Sequence, residues 1–182
     1  MTTSAKADRE ADVVRLYRRY QPHVLAYVRR RLPDADAVEV VGDVFLTAWR
    51  HLDAAPEQPL AWLYRIAGNS TANQRRSSGR WQRLQERLHA TTRQHHTPDL
   101  AVAAVGRDAF ATAFAALKEA DREVLRLVAW EGLQGLELAE ALGCSVSSAK
   151  VRVHRARKRL ARLLGADHSG STFPHLATEV SS

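Results

Sequence analysis

Between Leu142 and Leu164 the chain places seven Lys or Arg residues (Lys150, Arg152, Arg155, Arg157, Lys158, Arg159 and Arg162) and no Asp or Glu. Among them Ala149, Val153, Ala156, Leu160 and Leu163 recur at steps of four and three, the spacing that gathers side chains on one stripe of an α-helix. The stretch therefore predicts a helix with an apolar seam for a core and an opposite side crowded with cations. Like charges at that density need water or a polyanion against them. Just upstream, Leu136 to Leu142 reads as a shorter helix, Gly143 as its stop and Ser145 as the N-cap of the helix that follows. Two helices joined by a tight Gly-containing turn, the second basic, form the helix-turn-helix pattern.

In that pattern the first turns of the second helix enter the major groove, where Lys and Arg can donate to guanine O6 and N7. Ser147, Ser148, Lys150, Val151 and Arg155 would face base edges, while Arg152, Arg157, Lys158 and Arg159 would reach phosphates or protein surface. Phosphate contacts set position and only base contacts specify sequence. The competing reading is a solvated arginine-rich face with no ligand. A formal charge of +7 over 182 residues favours an anionic partner without saying which.

No strand-like alternation of useful length occurs, so the expected fold is all-α: two small helical domains on a flexible linker, the second holding the helix-turn-helix. The expected boundaries are a disordered N-terminus over 1–9, a first domain over 10–76, a linker over 77–99, a second domain over 100–164 and a disordered tail over 165–182. In the first domain Val13, Leu16, Tyr17 and Tyr20 precede Val24, Leu25, Val28 and Leu32 at helical spacing, with Pro22 either opening a second helix or kinking a long one. A further helix over 36–51 buries Ala37, Val41, Val44, Phe45 and Ala48 and leaves Asp36, Glu39 and Asp43 on one stripe. That stripe suits the helix dipole, and on a basic chain it is either solvated or a surface for a basic partner. Pro56 and Pro59 bracket a loop. The helix after it interleaves Trp62 and Tyr64 with Arg65, Asn69, Arg75 and Arg76, a composition that suits single-stranded nucleic acid. Phe45 and Trp62 read as core. In the second domain Phe110, Ala113, Phe114 and Leu117 share a face, and Asp121 reads as a helix cap.

Other classes find little support. The single cysteine, Cys144, excludes an internal disulfide and reads as a small packing residue in a reducing compartment. There is no apolar run of about 18 residues, and the first residues lack an apolar signal core, so neither membrane insertion nor export is expected. His95-His96 has no third ligand at metal spacing. There is no phosphate-binding glycine loop and no nucleophile converging with carboxylates, so no metal, cofactor or catalytic residue is expected and the chain does not read as an enzyme.

The two halves together resemble the extracytoplasmic-function (ECF) subfamily of bacterial RNA polymerase sigma factors, within the sigma-70 family. AVEVVGDVFLTAWRHL (37–52) and AWLYRIAGNSTANQRR (61–76) resemble its promoter-melting domain. The segment from ALKEADREVL to RVHRARKRL (116–160) resembles its promoter-upstream domain. The resemblance implies a cytoplasmic bacterial factor that joins core RNA polymerase through its clamp helices and flap, and that an anti-sigma factor holds in check. Asp36, Glu39, Asp43 and Leu46 would meet the polymerase. Asp53, Glu57, Tyr64, Arg65, Asn69, Asn73, Arg75 and Arg76 would grip the unwound −10 element. Ser147, Ser148, Lys150, Val151, Arg152 and Arg155 would read the −35 element. Val151 stands where the family often has Ser, and can touch a thymine methyl but cannot hydrogen-bond. The alternative from another class is a stand-alone helix-turn-helix regulator bound to duplex DNA.

Overall fold

The computed structural model describes residues 2–88 and 105–165, with side chains over 9–80 and 109–165. Its elements in chain order are α1 (Thr2–Arg29), α2 (Asp34–Arg50), a 3-10 turn (Leu52–Ala54), α3 (Leu60–Leu88), α4 (Val105–Ala116), α5 (Glu119–Ala129), α6 (Gly135–Leu142) and α7 (Val146–Leu163). No strand occurs among the described residues.

In the first half α1, α2 and α3 pack on one another. The apolar steps of the sequence become the contact stripe: Val24, Tyr27 and Val28 from α1, Val40, Val44 and Phe45 from α2, Trp62, Leu63 and Ile66 from α3, all buried. Phe45 takes the edge of Tyr17 with ring centroids 4.8 Å apart, a geometry that favours the aromatic quadrupoles. Pro22 lies inside α1, which runs past it as one helix. Proline inside a helix costs about 3 kcal/mol, and the buried Val24, Tyr27 and Val28 within the next two turns supply the offsetting burial.

Three expectations are corrected. Residues from Thr2 onward are helical rather than disordered. The linker does not begin at Ser77, because α3 continues through Ser77-Ser78-Gly79 to Leu88; helical hydrogen bonding outweighs one glycine, whose cost is about 1 kcal/mol. Asp121 is not a cap: α5 begins at Glu119 after Lys118, and the buried Asp121 carboxylate accepts Arg159 Nη1 at 2.7 Å on each oxygen. The rest of the expected linker (89–99), the His95-His96 pair and the tail beyond Gly165 lie outside the described residues.

The helix-turn-helix forms as its residues predict. Gly143 ends α6 in the left-handed region at φ 59°, which a Cβ would strain. Ser145 caps α7 by accepting from the Ser148 N–H at 3.2 Å. Ala149, Ala156 and Leu160 form the buried seam of α7, against α5 and α6 and, through Leu160, Ala113 and Leu117 of and beside α4.

The two helical halves also pack on one another. Leu127, Leu133, Leu138, Ala139 and Ala141 of the second half join the apolar core of the first, and α6 lies along α3.

Candidate nucleic-acid interface

On α7 the alternation of seam and cations decides which side chains face outward. Ser147, Ser148, Lys150, Val151, Arg152 and Arg155 are all exposed, while Ala149 between them is buried. Val151 is 46% exposed, so an apolar side chain sits among the polar ones on this face. The six predicted −35 readers are thereby brought together on the first three turns. Arg159 takes the protein-surface alternative of the two expected for it. Its guanidinium is tied to Asp121 of α5, joining α7 to that helix.

On α2 the inward stripe leaves Glu39 and Asp43 exposed, with Asp36 half-buried one turn earlier. Val38, Leu46 and Trp49 are exposed apolar side chains of the same helix, 68%, 41% and 42% open. Acidic groups interspersed with open apolar ones make a surface suited to a basic, partly apolar partner.

The residues expected to hold unwound DNA are divided by α3 into two sets. Asn69, Asn73 and Arg76 are exposed at steps of four and three. Arg76 donates to Asn73 Oδ1, and both line a polar groove of about 490 Å³ between α2 and α3 together with Asp43, Arg50 and Arg80. Asp53 and Glu57 are exposed in the loop before α3, Asp53 paired with Arg9 at 3.2 Å. The other three are engaged within the protein, and Asn69 and Arg76 also line a cavity of about 450 Å³ between α3 and the second half. Tyr64 is 4% exposed and stacks on Tyr27 with centroids 5.0 Å apart. Arg65 reaches Glu140 of α6 at 3.2 Å. Arg75 donates to the carbonyl of Arg31 and pairs with Glu119 of α5.

Sequence reasoning missed the residues behind this second set. Arg31 has a side chain 1% exposed. It makes a two-pronged bond to Glu123, Nε to Oε2 at 2.8 Å and Nη2 to Oε1 at 2.9 Å, and a third bond from Nη1 to Glu131 at 3.2 Å. Its guanidinium carbon lies 3.4 Å from the centre of the Tyr27 ring, a cation-π contact. Tyr27 also donates to Glu123 at 2.7 Å, and Arg30 pairs with Glu131, whose side chain is 2% exposed. Burial opposes the charge on Arg31, yet the bonds to Glu123 hold its guanidinium above the ordinary value. Burial, reinforced by nearby glutamates, pushes the Tyr27 phenol well above its usual range and the Tyr64 phenol up to about 12. The only local signal was the run Arg29-Arg30-Arg31 before Leu32-Pro33, and its acidic partners lie about 90 to 100 residues away.

Residues 107–160 match Sigma-70, region 4, and residues 16–81 match Sigma-70 region 2. RNA polymerase sigma factor CnrH of Cupriavidus metallidurans is 32% identical over 75% of this chain and 77% of its own length. The chain belongs to the sigma-70 family of RNA polymerase sigma factors. ECF RNA polymerase sigma factor SigL of Mycobacterium tuberculosis, 30% identical over 86% of this chain and 92% of its own, places it in the ECF subfamily. The fold of this sigma factor is similar to that of RpoE from Bartonella quintana in a co-crystal with the anti-sigma factor NepR, with 25% identity, a TM-score of 0.58 and coverage of 86% of this chain and 99% of that one. It is also similar to CnrH in complex with the cytosolic domain of CnrY, with 28% identity, a TM-score of 0.55 and coverage of 87% and 90%. Among the described residues no helix is long and apolar enough to cross a membrane.

Proposed function

We propose that this sigma factor joins core RNA polymerase, directs it to a two-element promoter and holds the opened DNA, with no catalysis of its own. The observation that carries this reading is the exposed face of α7, six side chains from Ser147 to Arg155 with cations at 150, 152 and 155, beside a correctly capped helix-turn-helix. Lys150 and Arg155 act as donors to base edges of the −35 element, Val151 makes an apolar contact with a thymine methyl, and Arg152 supplies charge to the phosphates.

The −10 strand lies along α3. Asn69, Asn73 and Arg76 offer donors and acceptors to unpaired bases and phosphates, with Asp53 and Glu57 in the adjoining loop. Tyr64, Arg65 and Arg75 extend the grip once their face is free. Taking a base out of its stack costs a few kcal/mol, which side-chain contacts of this kind offset. Asp36, Glu39, Asp43 and Leu46 meet the clamp helices of the polymerase, and the second half meets its flap. An anti-sigma factor is a further proposed partner, since RpoE is similar in a co-crystal with the anti-sigma factor NepR and CnrH in complex with the cytosolic domain of CnrY. The working compartment is the bacterial cytoplasm.

A stand-alone regulator would need α7 but would leave the acid-apolar face of α2 and the polar groove of α3 without use. Run-off transcription with purified core polymerase over a promoter library separates the two. A promoter-dependent transcript is expected, and transcription that ignores the added protein across the library would refute the proposal.

A further inference from the structure

Three arginines of the first half converge on one groove with little to neutralise them. Asp43, Thr47 and Arg50 follow at steps of four and three along α2, and Ser70, Asn73 and Ser77 at steps of three and four along α3. The two stripes are the walls of the polar groove of about 490 Å³. Thr47, Ser70 and Ser77 are short, which leaves the groove its room. Arg80 reaches it because α3 runs on through Ser77-Ser78-Gly79. Elsewhere in this half arginines are matched: Arg9, Arg29, Arg31, Arg65 and Arg75 each hold an Asp or Glu. Among the described residues Arg50 and Arg80 hold none, and Arg76 holds the neutral Asn73 Oδ1. Asp43 is the one carboxylate on the groove wall. Three guanidinia against it leave two positive charges uncompensated, among hydroxyl and amide groups that can donate to further oxygens. A backbone phosphodiester brings a single negative charge per nucleotide. A pyrophosphate group brings more than one in a compact unit and so matches the groove better.

We propose that the groove between α2 and α3 is a seat for a pyrophosphate-type group, the polyphosphate of a free nucleotide, held by Arg50, Arg76 and Arg80. Forked donors from both helices take adjacent phosphoryl oxygens, and Asp43 opposes them. Backbone phosphate of DNA shares this chemistry, so the experiment separates the two sources. The seat stands independently of the −10 reading of α3. Competition between ligand and DNA strand for Arg76 rests on that reading.

The full chain is titrated with inorganic pyrophosphate by isothermal titration calorimetry at one fixed ionic strength without divalent cations. Dimethyl phosphate serves as the singly charged diester. Saturable pyrophosphate binding is expected, about tenfold or more tighter than that of the diester. Arg50→Ala and Arg80→Ala should each weaken it about tenfold, the scale of one lost charge-assisted bond. Arg18→Ala removes the same charge from an exposed position on α1 and should change it by less than about twofold, because salt screens distant charges. Asp43→Asn should tighten it, an effect that damaged packing does not produce. Circular dichroism at 222 nm checks the fold, and should one alanine variant lose helix, the other decides. Equal weakening by Arg18→Ala, or no preference for pyrophosphate over the diester, overturns the proposal. Fluorescence anisotropy with a labelled single-stranded pool of about 20 nucleotides assigns the source, and pyrophosphate is expected to displace the strand. If pyrophosphate does not bind while Arg50→Ala and Arg80→Ala each lower the strand's salt slope by about 0.7, the groove seats backbone phosphate and the free-ligand proposal falls. If pyrophosphate binds without displacing the strand, the seat stands and the −10 reading of α3 is what fails.

Discussion

The pair between Asp121 and Arg159 offers a direct measurement of what holds the recognition helix in place. Asp121 has a side chain 11% exposed, whereas that of Arg159 is 48% exposed. Arg159→Ala therefore leaves a carboxylate with little water and no partner, a penalty of about 1–3 kcal/mol on top of the lost bond. Asp121→Ala leaves a guanidinium that rehydrates at once, so it costs about 1 kcal/mol, part of it the loss of a negative charge in the first turn of α5. Removing both groups abolishes the stranded charge. The double variant is then more stable than Arg159→Ala alone, with a coupling energy of about 1–2 kcal/mol, discounted because Arg159 is half in water. Urea denaturation of the four proteins, followed by circular dichroism with slopes compared, measures the cycle. A helix-capping role for Asp121 makes the opposite forecast: Asp121→Ala costs about 1 kcal/mol, Arg159→Ala almost nothing, and the two add. Additivity within about 0.3 kcal/mol would refute the ion-pair account.

Ser145→Ala should destabilise the helix-turn-helix by about 1 kcal/mol through loss of the α7 cap, and Ser145→Asp should retain most of that stability in the same denaturation assay. Raised phenol values make the seam sensitive to alkali. Tyr64 favours its neutral form in the folded chain, so its contribution is whole below pH 10.0 and is lost as pH rises through about 12. Absorbance at 295 nm should show late-ionising phenols from both Tyr27 and Tyr64, and Tyr64→Phe should remove one tyrosine's share of that late amplitude; an undiminished late amplitude in the variant would contradict the assignment. Glu39→Lys with Asp43→Lys should weaken capture by immobilised core polymerase at least tenfold while duplex DNA affinity is not reduced. Unaltered capture would take α2 out of the polymerase surface. Arg155→Ala should reduce −35 duplex binding by about 1–3 kcal/mol in a sequence-dependent way, and an equal loss on random duplex would make it a phosphate contact only.

Local chemistry was readable from the chain and distant chemistry was not. Gly143 and Ser145 announce the turn because left-handed backbone and N-capping are decided within three or four residues. The exposed row from Ser147 to Arg155 follows from the period of the α7 seam, and Phe45 and Trp62 are core because their helices offer one apolar stripe. Asp121 was misread because a capping position and a first-turn ion pair look alike until the partner, 38 residues away, is known. Tyr64, Arg65 and Arg75 were grouped with Asn69, Asn73 and Arg76 on composition alone. Helical geometry puts Arg65, Asn69, Asn73 and Arg76 on one stripe and Tyr64 and Arg75 on another, and only the packed second half shows which of them are engaged. Ser77-Ser78-Gly79 looked like a break because small polar residues favour turns, yet nothing in them forbids a helix already under way.

The one-way charge of the seam also bears on how such a chain can be rebuilt. Each half could be exchanged for that of a relative and still read its own DNA element, since those surfaces are self-contained. The junction is not self-contained: a borrowed first half without arginines at 30, 31, 65 and 75 would leave Glu123, Glu131 and Glu140 without those partners, while Glu119 would keep Arg122 and Arg126 of its own half. Chimaeras of this sigma factor would therefore be matched in promoter sequence and mismatched as neighbours, and the mismatch would show as lost stability at the junction rather than as loss of recognition.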